Sequence, residues 1–316
     1  MACQFIRELW GGNRELWGGI TSGYPQGSVG FISEANHYKN SPMARTIDQK
    51  HEGGWIVKPA ELIEFRGTGS LTLHDRRVLT LLYENAGNRV CDDVEHMMAL
   101  ADLRGTHKGG ERVKDSIIRL MQTLVQVPTK DSNGKPATLR TALLASTTTT
   151  DDESDPDGEV TYRLSQALRE ILKDSTIWGR IQSQVMFAFT SKYALALYDL
   201  LQKRVNLTHV WEQDFDLDHF RELMGVPDGK LPRGADLVAY CLKPALLEVN
   251  ALADHGVALE LIRTAKRVTG VKMRWWKKTR QEREFSYAEL QRSKIGRLPR
   301  LKGTVEHVEP ARKKIA

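Results

Sequence analysis

The sequence lacks the features that mark membrane proteins and disulfide-bonded proteins. No stretch of its 316 residues approaches the roughly 20 apolar residues that span a bilayer, and the N-terminus lacks the basic and then apolar plan of a signal peptide. The cysteines, Cys3, Cys91 and Cys241, lie far apart without a C-x-x-C pair. Neither a disulfide framework nor a zinc site is therefore expected, and we expect a cytoplasmic protein.

Motifs of catalysis are also lacking. There is no G-x-x-x-x-G-K-[ST] phosphate loop and no G-x-S-x-G elbow, and the nine histidines never form the His-hydrophobic-His cluster of metal-dependent DNA-nicking enzymes. The acidic stretch TTTTDDESDPDGE lacks the ligand spacing of a calcium loop. In DFDLDHF, we expect Asp214 or Asp216 to cap a helix. We expect no enzyme activity, no cofactor and no metal.

What the sequence does contain is an uneven charge. The net charge is +6, and residues 272–316 hold 14 Lys or Arg against 5 Glu, so the rest of the chain is slightly acidic. A basic segment of this kind favours phosphate contacts through counterion release, and a solvated tail without a partner is the alternative. The length that remains between unpacked ends suits two domains of roughly 110 residues each.

The first half of the packed region reads as three helices and a β-ribbon. WIVKPAELIEF indicates a short strand or lead-in, and SLTLHDRRVLTLLYENAGN predicts a helix that Ser70 or Thr72 caps and Gly87 ends. A shorter helix is predicted over residues 94–101, and ERVKDSIIRLMQTLVQV is the clearest amphipathic helix. Strands are predicted at LVQVP, ATLRTALLAS and GEVTYRLS. This order predicts a winged helix.

The same order returns in the second half. AFTSKYALALYDLLQKR and DLDHFRELMGVP predict two helices, and Thr190 or Ser191 can cap the first. GADLVAYCLKPALLEVNAL predicts a third helix, which Pro244 should bend or divide. VALELIRTAKRVTGVKMRWW predicts a hairpin, because Val271, Met273 and Trp275 alternate with Lys272, Arg274 and Trp276. A second winged helix follows.

With these landmarks, the chain resembles the iteron-binding plasmid replication initiators. The resemblance covers about residues 55–280 and rests on WIVKPAELIE with SLTLHDRRVLTLL, on FTSKYALALYDLLQKR, and on LKPALLEVNALADHGVALEL before the last hairpin. With the element order above, it predicts an α+β, helix-rich fold with two tandem winged-helix domains. The residues before Trp55 are rich in Gly, Ser, Asn and Pro without sustained periodicity and predict a disordered N-terminal extension, and the charge count predicts a basic C-terminal tail. The expected parts are an extension at 1–54, a first winged helix at 55–176, a second at 177–279 and a tail at 280–316.

The resemblance also implies a function. Such proteins bind direct repeats, called iterons, at a plasmid origin as monomers, and dimerise through the first domain, often to repress their own gene. They open adjacent AT-rich DNA and recruit the host initiator and the replicative helicase, without covalent chemistry. Two alternatives stay open: a winged-helix transcriptional repressor, and a dimeric protein-interaction module.

Candidate DNA-binding residues follow from this resemblance. A third helix in the major groove reads base edges, whereas the wing contacts phosphate. In the second domain the expected helix residues are Lys230, Arg233, Asp236, Ala239, Tyr240 and Lys243, with Arg233 as the main base reader. In the first domain they are Lys108, Arg112, Lys114, Ser116 and Arg119, for which a solvated helix face is the alternative. The wing residues are Arg263, Lys266, Arg267, Lys272 and Arg274.

The N-terminus repeats the hexapeptide RELWGG at residues 7–12 and 14–19. Two glycines per copy disfavour a coiled coil, and two short copies cannot build a solenoid. The period of seven residues corresponds to 21 nucleotides, which is about two turns of B-DNA. We therefore interpret the peptide repeat as translated origin repeats, either because translation starts further downstream, with Met43 as the candidate start, or because the gene overlaps its own target.

Overall fold

The computed structural model describes residues 45–46, 54–104, 113–151, 157–207, 209–265 and 267–304. The RELWGG repeats and Met43 lie outside the described residues, as do Lys108, Arg112 and Lys266. None of the helices within the described ranges has both the length and the apolar character needed to cross a membrane.

The first winged helix is confirmed, with its helices packed on short antiparallel strands. Three of its strands, His96–Ala99 (β2), Glu159–Leu164 (β6) and Leu144–Thr149 (β5), form one sheet in that order. Strands Leu124–Lys130 (β3) and Pro136–Ala142 (β4) form a separate hairpin. The Thr72 side chain caps the helix Leu73–Ala86 (α2) in a capping box with Asp75, so Thr72 is the cap of the two residues predicted for this helix. The elements are β1 (Trp55–Pro59), α1 (Ala60–Ile63), α2 (Leu73–Ala86), β2 (His96–Ala99), α3 (Leu100–Arg104), α4 (Val113–Gln122), β3 (Leu124–Lys130), β4 (Pro136–Ala142), β5 (Leu144–Thr149), β6 (Glu159–Leu164), α5 (Gln166–Lys173) and β7 (Trp178–Gln182).

The second winged helix repeats this plan after a short helix, α6 (Ser183–Ala188). Ser191 caps its first helix, and Asp216 caps its second by accepting hydrogen bonds from the backbone of Asp218 and His219. Its three strands, Glu212–Asp216 (β8), Arg267–Lys277 (β10) and His255–Thr264 (β9), form an antiparallel sheet in that order. The elements are α7 (Lys192–Arg204), β8 (Glu212–Asp216), α8 (Leu217–Leu223), α9 (Gly234–Leu237), α10 (Lys243–Leu252), β9 (His255–Thr264) and β10 (Arg267–Lys277).

Pro244 interrupts the regular α-helical hydrogen bonding of the third helix of the second domain without ending the helix, at the place where the sequence predicts a bend or a division. Residues Val238–Leu242 form a π-helical turn that joins α9 to α10, and Pro244 lies in the first turn of α10. Because proline lacks an N–H and its ring crowds the preceding turn, a wider turn before it avoids the clash. We call the continuous element from Gly234 to Leu252 the α9–α10 helix.

Two predicted elements of the first domain are wrong. The helix predicted over residues 94–101 is instead strand β2, His96–Ala99, followed by the short helix α3. Strand β2 pairs with β6 from His96 opposite Tyr162 to Ala99 opposite Glu159. ATLRTALLAS is two strands, β4 and β5, which Leu143 separates. Tertiary pairing thus overrides a short apolar pattern that fits helix and strand equally.

The C-terminal region also differs from the expected tail. Residues 280–304 carry two helices, α11 (Arg280–Gln291) and α12 (Arg297–Lys302). Ser286, Glu289, Arg297 and Leu301 are buried there. Thr279 and Glu282 form a capping box at the start of α11, and this T-x-x-E pattern is the signal that the sequence offers. The packed structure therefore continues to residue 304.

The two domains share one hydrophobic core and one boundary sheet. Strand β7 pairs antiparallel with β1 along its whole length, so a boundary at 176/177 separates β7 from its partner. The domains also approach closely, because a Cβ at Gly69 would lie 2.7 Å from the Cα of Pro227. Lys192 donates to the carbonyl of Gly69 at 2.8 Å. These contacts fix the second domain against the first.

Candidate nucleic-acid interface

The segments that begin the two domains, WIVKPAELIE and KYALALYDLLQKR, are joined by ion pairs. The Lys58 ammonium lies 2.6 Å from the Asp199 carboxylate, and both side chains are buried. Glu64 forms ion pairs with Arg204, at 2.6 Å, and with Lys203. Burial raises the pKa of Glu64, but these two cations outweigh it and hold that pKa below its ordinary value. These ion pairs therefore fix WIVKPAELIE of the first domain against the KYALALYDLLQKR helix of the second.

Glu248 and Asn250, which lie in the landmark LKPALLEVNALADHGVALEL, fasten the α9–α10 helix to the rest of the domain. The fully buried Glu248 carboxylate accepts hydrogen bonds from the backbone N–H groups of Thr190 and Ser191, at 3.0 and 3.3 Å. The Asn250 amide makes two 2.9 Å hydrogen bonds with the backbone of Val257, at the start of β9. Glu248 thus joins the α9–α10 helix to the TSKY stretch, whose first two residues are Thr190 and Ser191.

The C-terminal end of the same helix is held by Lys278. Its ammonium donates to the carbonyls of Asn250 and Ala253, both at 2.6 Å, and to the Ser286 hydroxyl at 2.8 Å. These carbonyls belong to the helix end, where a cation is favourable. Burial lowers the pKa of Lys278 to about 8. Glu248 and Lys278 therefore hold the C-terminal half of the α9–α10 helix in place, while the start of that helix is exposed.

The exposed side of the α9–α10 helix contains the residues that the sequence predicts for DNA contact. Tyr240 is 68% exposed, and Ala239 and Lys243 are exposed beside it, while Asp236 is half-buried one turn earlier. Arg233, the residue before the helix, is exposed and bonds to the Asp236 carboxylate at 2.7 and 3.1 Å. This hydrogen bonding raises the pKa of Arg233. Lys230 is exposed on the preceding turn.

The tip of the β9–β10 hairpin lies beside the start of this helix. A Cβ at Gly234 would lie 3.4 Å from the Val268 side chain. Arg263 and Arg267 are exposed on either side of the tip, and within residues 209–265 and 267–304 neither has an ion-pair partner. The hairpin tip and the helix start, both of which carry exposed cations, therefore lie next to each other.

The other two predicted wing cations are neutralised. Lys272 and Arg274 alternate with the buried Met273 and lie on the outer face of the sheet. Lys272 pairs with Glu212 at 3.1 Å and Asp214 at 3.3 Å, which raises the pKa of Lys272. Arg274 pairs with Glu212 at 2.8 Å and with Glu260. The alternating acids of EQDFD at 212–216 signal these partners, but only the strand register shows that they face Lys272 and Arg274.

The first-domain helix α4 differs from the expected DNA-contacting face. Ser116 is fully buried, so it has no exposed surface for DNA. Arg119 makes two 2.9 Å hydrogen bonds to the buried Asp75 carboxylate, and Lys114 donates to the Asp151 carbonyl. The exposed side of α4 instead carries Asp115, Ile118 and Gln122. Ser116 and Arg119 act inside the fold, and Lys114 is bonded to a neighbouring loop.

The described residues contain no group of three or more His, Cys, Asp or Glu side chains arranged to hold a metal ion. The structure brings together the exposed start of the α9–α10 helix, the exposed Tyr240 side chain and the basic tip of the β9–β10 hairpin. Such an arrangement can approach an anionic, grooved partner, where arginine reads bases and further cations contact phosphate.

Comparisons with known proteins agree with this architecture. Residues 55–202 match the family model for "Initiator Replication protein, WH1", and residues 216–275 match that for "Initiator Rep protein, WH2". No curated protein matches the sequence.

Solved structures with the same fold include the Pi initiator protein in complex with iteron DNA. It is 14% identical with a TM-score of 0.50, over 71% of this chain and 98% of that one. Two structures of RctB domains 2 and 3 are 15% identical, with TM-scores of 0.39 and 0.37. They cover 66% and 67% of this chain and 81% and 84% of theirs.

Proposed function

Because the chain belongs to the initiator replication protein family with WH1 and WH2 domains, we propose that it initiates plasmid replication by binding direct repeats at the origin. The observation that carries this proposal is the exposed start of the α9–α10 helix, with Arg233 and Tyr240, beside the basic tip with Arg263 and Arg267. The Pi initiator, which shares the fold, was crystallised with iteron DNA.

In this proposal the second domain reads the repeat. Arg233, Tyr240 and Lys243 approach base edges in the major groove, and Arg263 and Arg267 contact phosphates. The first domain contributes less to base reading, because the cations described on α4 are bonded within the protein. Its exposed apolar side chains, Met97 at 61% and Ile118 at 50%, favour a protein contact such as dimerisation.

The finer steps belong to the same proposal. The protein binds each repeat as a monomer in the cytoplasm and, as a dimer through the first domain, represses its own gene. Occupied repeats help to open adjacent AT-rich DNA, and the host initiator and the replicative helicase then join. The protein performs no covalent chemistry itself.

Footprinting with the full chain tests this function. The DNA should span the region upstream of the gene and the codons for residues 7–19. We expect protection of several direct repeats about 21 base pairs apart, followed by permanganate reactivity in neighbouring AT-rich DNA. A single palindromic footprint without melting would instead indicate a repressor.

The interaction-module alternative predicts a different result. Binding to DNA would then be absent or insensitive to salt, whereas phosphate contacts make affinity fall steeply with salt. The interpretation of residues 7–19 has its own test in the nucleotide sequence. Conserved synonymous positions in the two RELWGG copies and further copies upstream would support it, and diverged codons without upstream copies would refute it.

A further inference from the structure

The start of the α9–α10 helix carries an arginine and an aspartate that bond to each other. Arg233 precedes the helix, and Asp236 lies in its first turn. The Arg233 Nε donates to Asp236 Oδ2 at 2.7 Å, and Nη2 donates to Oδ1 at 3.1 Å. Both carboxylate oxygens are used, so the pair has the planar fork geometry of a bidentate ion pair.

This geometry leaves one edge of the guanidinium available. Nε and one N–H of Nη2 face Asp236, whereas both N–H groups of Nη1 and the second N–H of Nη2 point away from it. Two parallel donors remain on that outer edge. Such an edge matches O6 and N7 of guanine in the major groove, which is the commonest specific arginine contact.

Asp236 also changes whether Arg233 binds mainly to phosphates or mainly to base edges. The Arg233 side chain is 80% exposed, and an unpaired arginine there would be mobile and would bind any phosphate. Pairing removes its net charge and holds its four rotatable bonds in one arrangement before DNA arrives. The pair therefore contributes little to binding of random DNA and more to discrimination between bases.

We propose that Asp236 is a positioning residue that presents the outer edge of Arg233 to O6 and N7 of one guanine in each bound repeat. The inference rests on the proposed function, because it names the base chemistry that the same surface recognises. Asp236 itself need not touch DNA. Its role is to turn an exposed cation into a base reader.

The test uses the full chain and duplexes that hold one repeat. In each duplex a single guanine is replaced by 7-deazaguanine, which lacks the N7 acceptor. At one position the unaltered protein should lose roughly tenfold in affinity. Arg233→Ala should show no loss at that position, and Asp236→Ala should show a loss of only about two- to threefold.

A second readout separates positioning from a structural role. Asp236→Ala leaves one more unpaired cation, so its slope of log affinity against log salt on random DNA should steepen by about one unit. Asp228→Ala, which removes an exposed carboxylate five residues before Arg233, should leave both the slope and the guanine effect unchanged. If Asp236 only supported the helix start, its removal would weaken all duplexes equally.

The outcomes distinguish this inference from the proposed function. If the unaltered protein binds repeats and random DNA equally, the proposed function fails. If it prefers repeats and Asp236→Ala keeps the full tenfold loss, or no guanine effect depends on Arg233, only the positioning role is overturned.

Discussion

The third helices of the two winged domains differ in where their arginines are used. On α4, Arg119 turns inward and bonds to Asp75, which is fully buried on α2. On the α9–α10 helix, Arg233 stays exposed and its partner Asp236 lies on the same helix. One arginine thus joins two helices of the core, whereas the other is held at the surface.

The difference teaches that a cation on the polar face of a helix does not identify a DNA contact by itself. What decides is whether a neighbouring element supplies a carboxylate. Helix α2 supplies Asp75 to Arg119, and strand β8 supplies Glu212 to Lys272 and Arg274. Nothing comparable reaches Arg263 or Arg267 from the described parts of the second domain.

The largest expected effect comes from removing Arg119, the arginine that bonds to Asp75 inside the first domain. Arg119→Ala leaves the Asp75 carboxylate buried without its main partner and should lower the free energy of unfolding by about 3 kcal/mol. Burial raises the pKa of Asp75, and hydrogen bonds from Arg119, Ser116 and the Thr72 backbone outweigh it, so that pKa lies below its ordinary value. Urea unfolding measures the loss, and the DNA affinity of the folded variant should stay unchanged.

Arg89→Ala is the matched control for this variant. Arg89 is an exposed arginine of the same domain, and its pair with Asp92 is long, at 3.7 Å. Its removal should change the free energy of unfolding by no more than about 0.5 kcal/mol. A stable Arg119→Ala protein with reduced DNA affinity would reverse the comparison and return α4 to the DNA interface.

A smaller effect should appear at the buried end of the α9–α10 helix. Lys278 has a pKa of about 8 in the folded state, below its ordinary 10.5. Between these values the unfolded chain binds more protons, so the contribution of Lys278 to stability rises as pH increases. In Lys278→Met this rise is lost. The stability difference between the two proteins should therefore grow by about 2 kcal/mol from pH 7 to pH 10.

Urea unfolding at several pH values measures the difference in free energy of unfolding between the two proteins. Other titrating groups, such as Lys192, contribute equally to both proteins and cancel from this difference. Lys277→Met is the control, because Lys277 is adjacent but exposed, whereas Lys278 donates to the carbonyls of the helix end. Its stability difference should stay flat over the same range. A flat difference for Lys278→Met as well would mean that burial does not lower the pKa of Lys278 in the folded protein.

Much of this fold can be predicted from hydrophobic spacing and caps. The helices α2, α4 and α7 and the last hairpin have clear periodicity, and Thr72, Ser191 and Asp216 cap where the sequence allows. Strand β2 was not predictable in this way, because four residues do not distinguish a helix from a strand until β6 pairs with them.

The C-terminal helices and the neutralised cations escape sequence reasoning for another reason. The buried faces of α11 and α12 include Ser286, Glu289 and Arg297, which are buried as hydrogen-bonded polar groups. Hydrophobic periodicity cannot find such a face. Likewise, Lys272 and Arg274 have the composition of a phosphate-binding wing, and only the register with β8 shows their acidic partners.

The smallest expected effect is on the salt dependence of DNA affinity, which should differ between two classes of wing residue. Arg263→Ala and Arg267→Ala should each reduce the slope of log affinity against log salt by about one unit, because each removes one phosphate contact. Lys272→Ala and Arg274→Ala should leave that slope unchanged, since Glu212, Asp214 and Glu260 already neutralise these side chains. Fluorescence anisotropy on one repeat, at several salt concentrations, measures all four. Equal changes in the four variants would show that DNA displaces the internal ion pairs and that the whole outer face of the sheet meets phosphate.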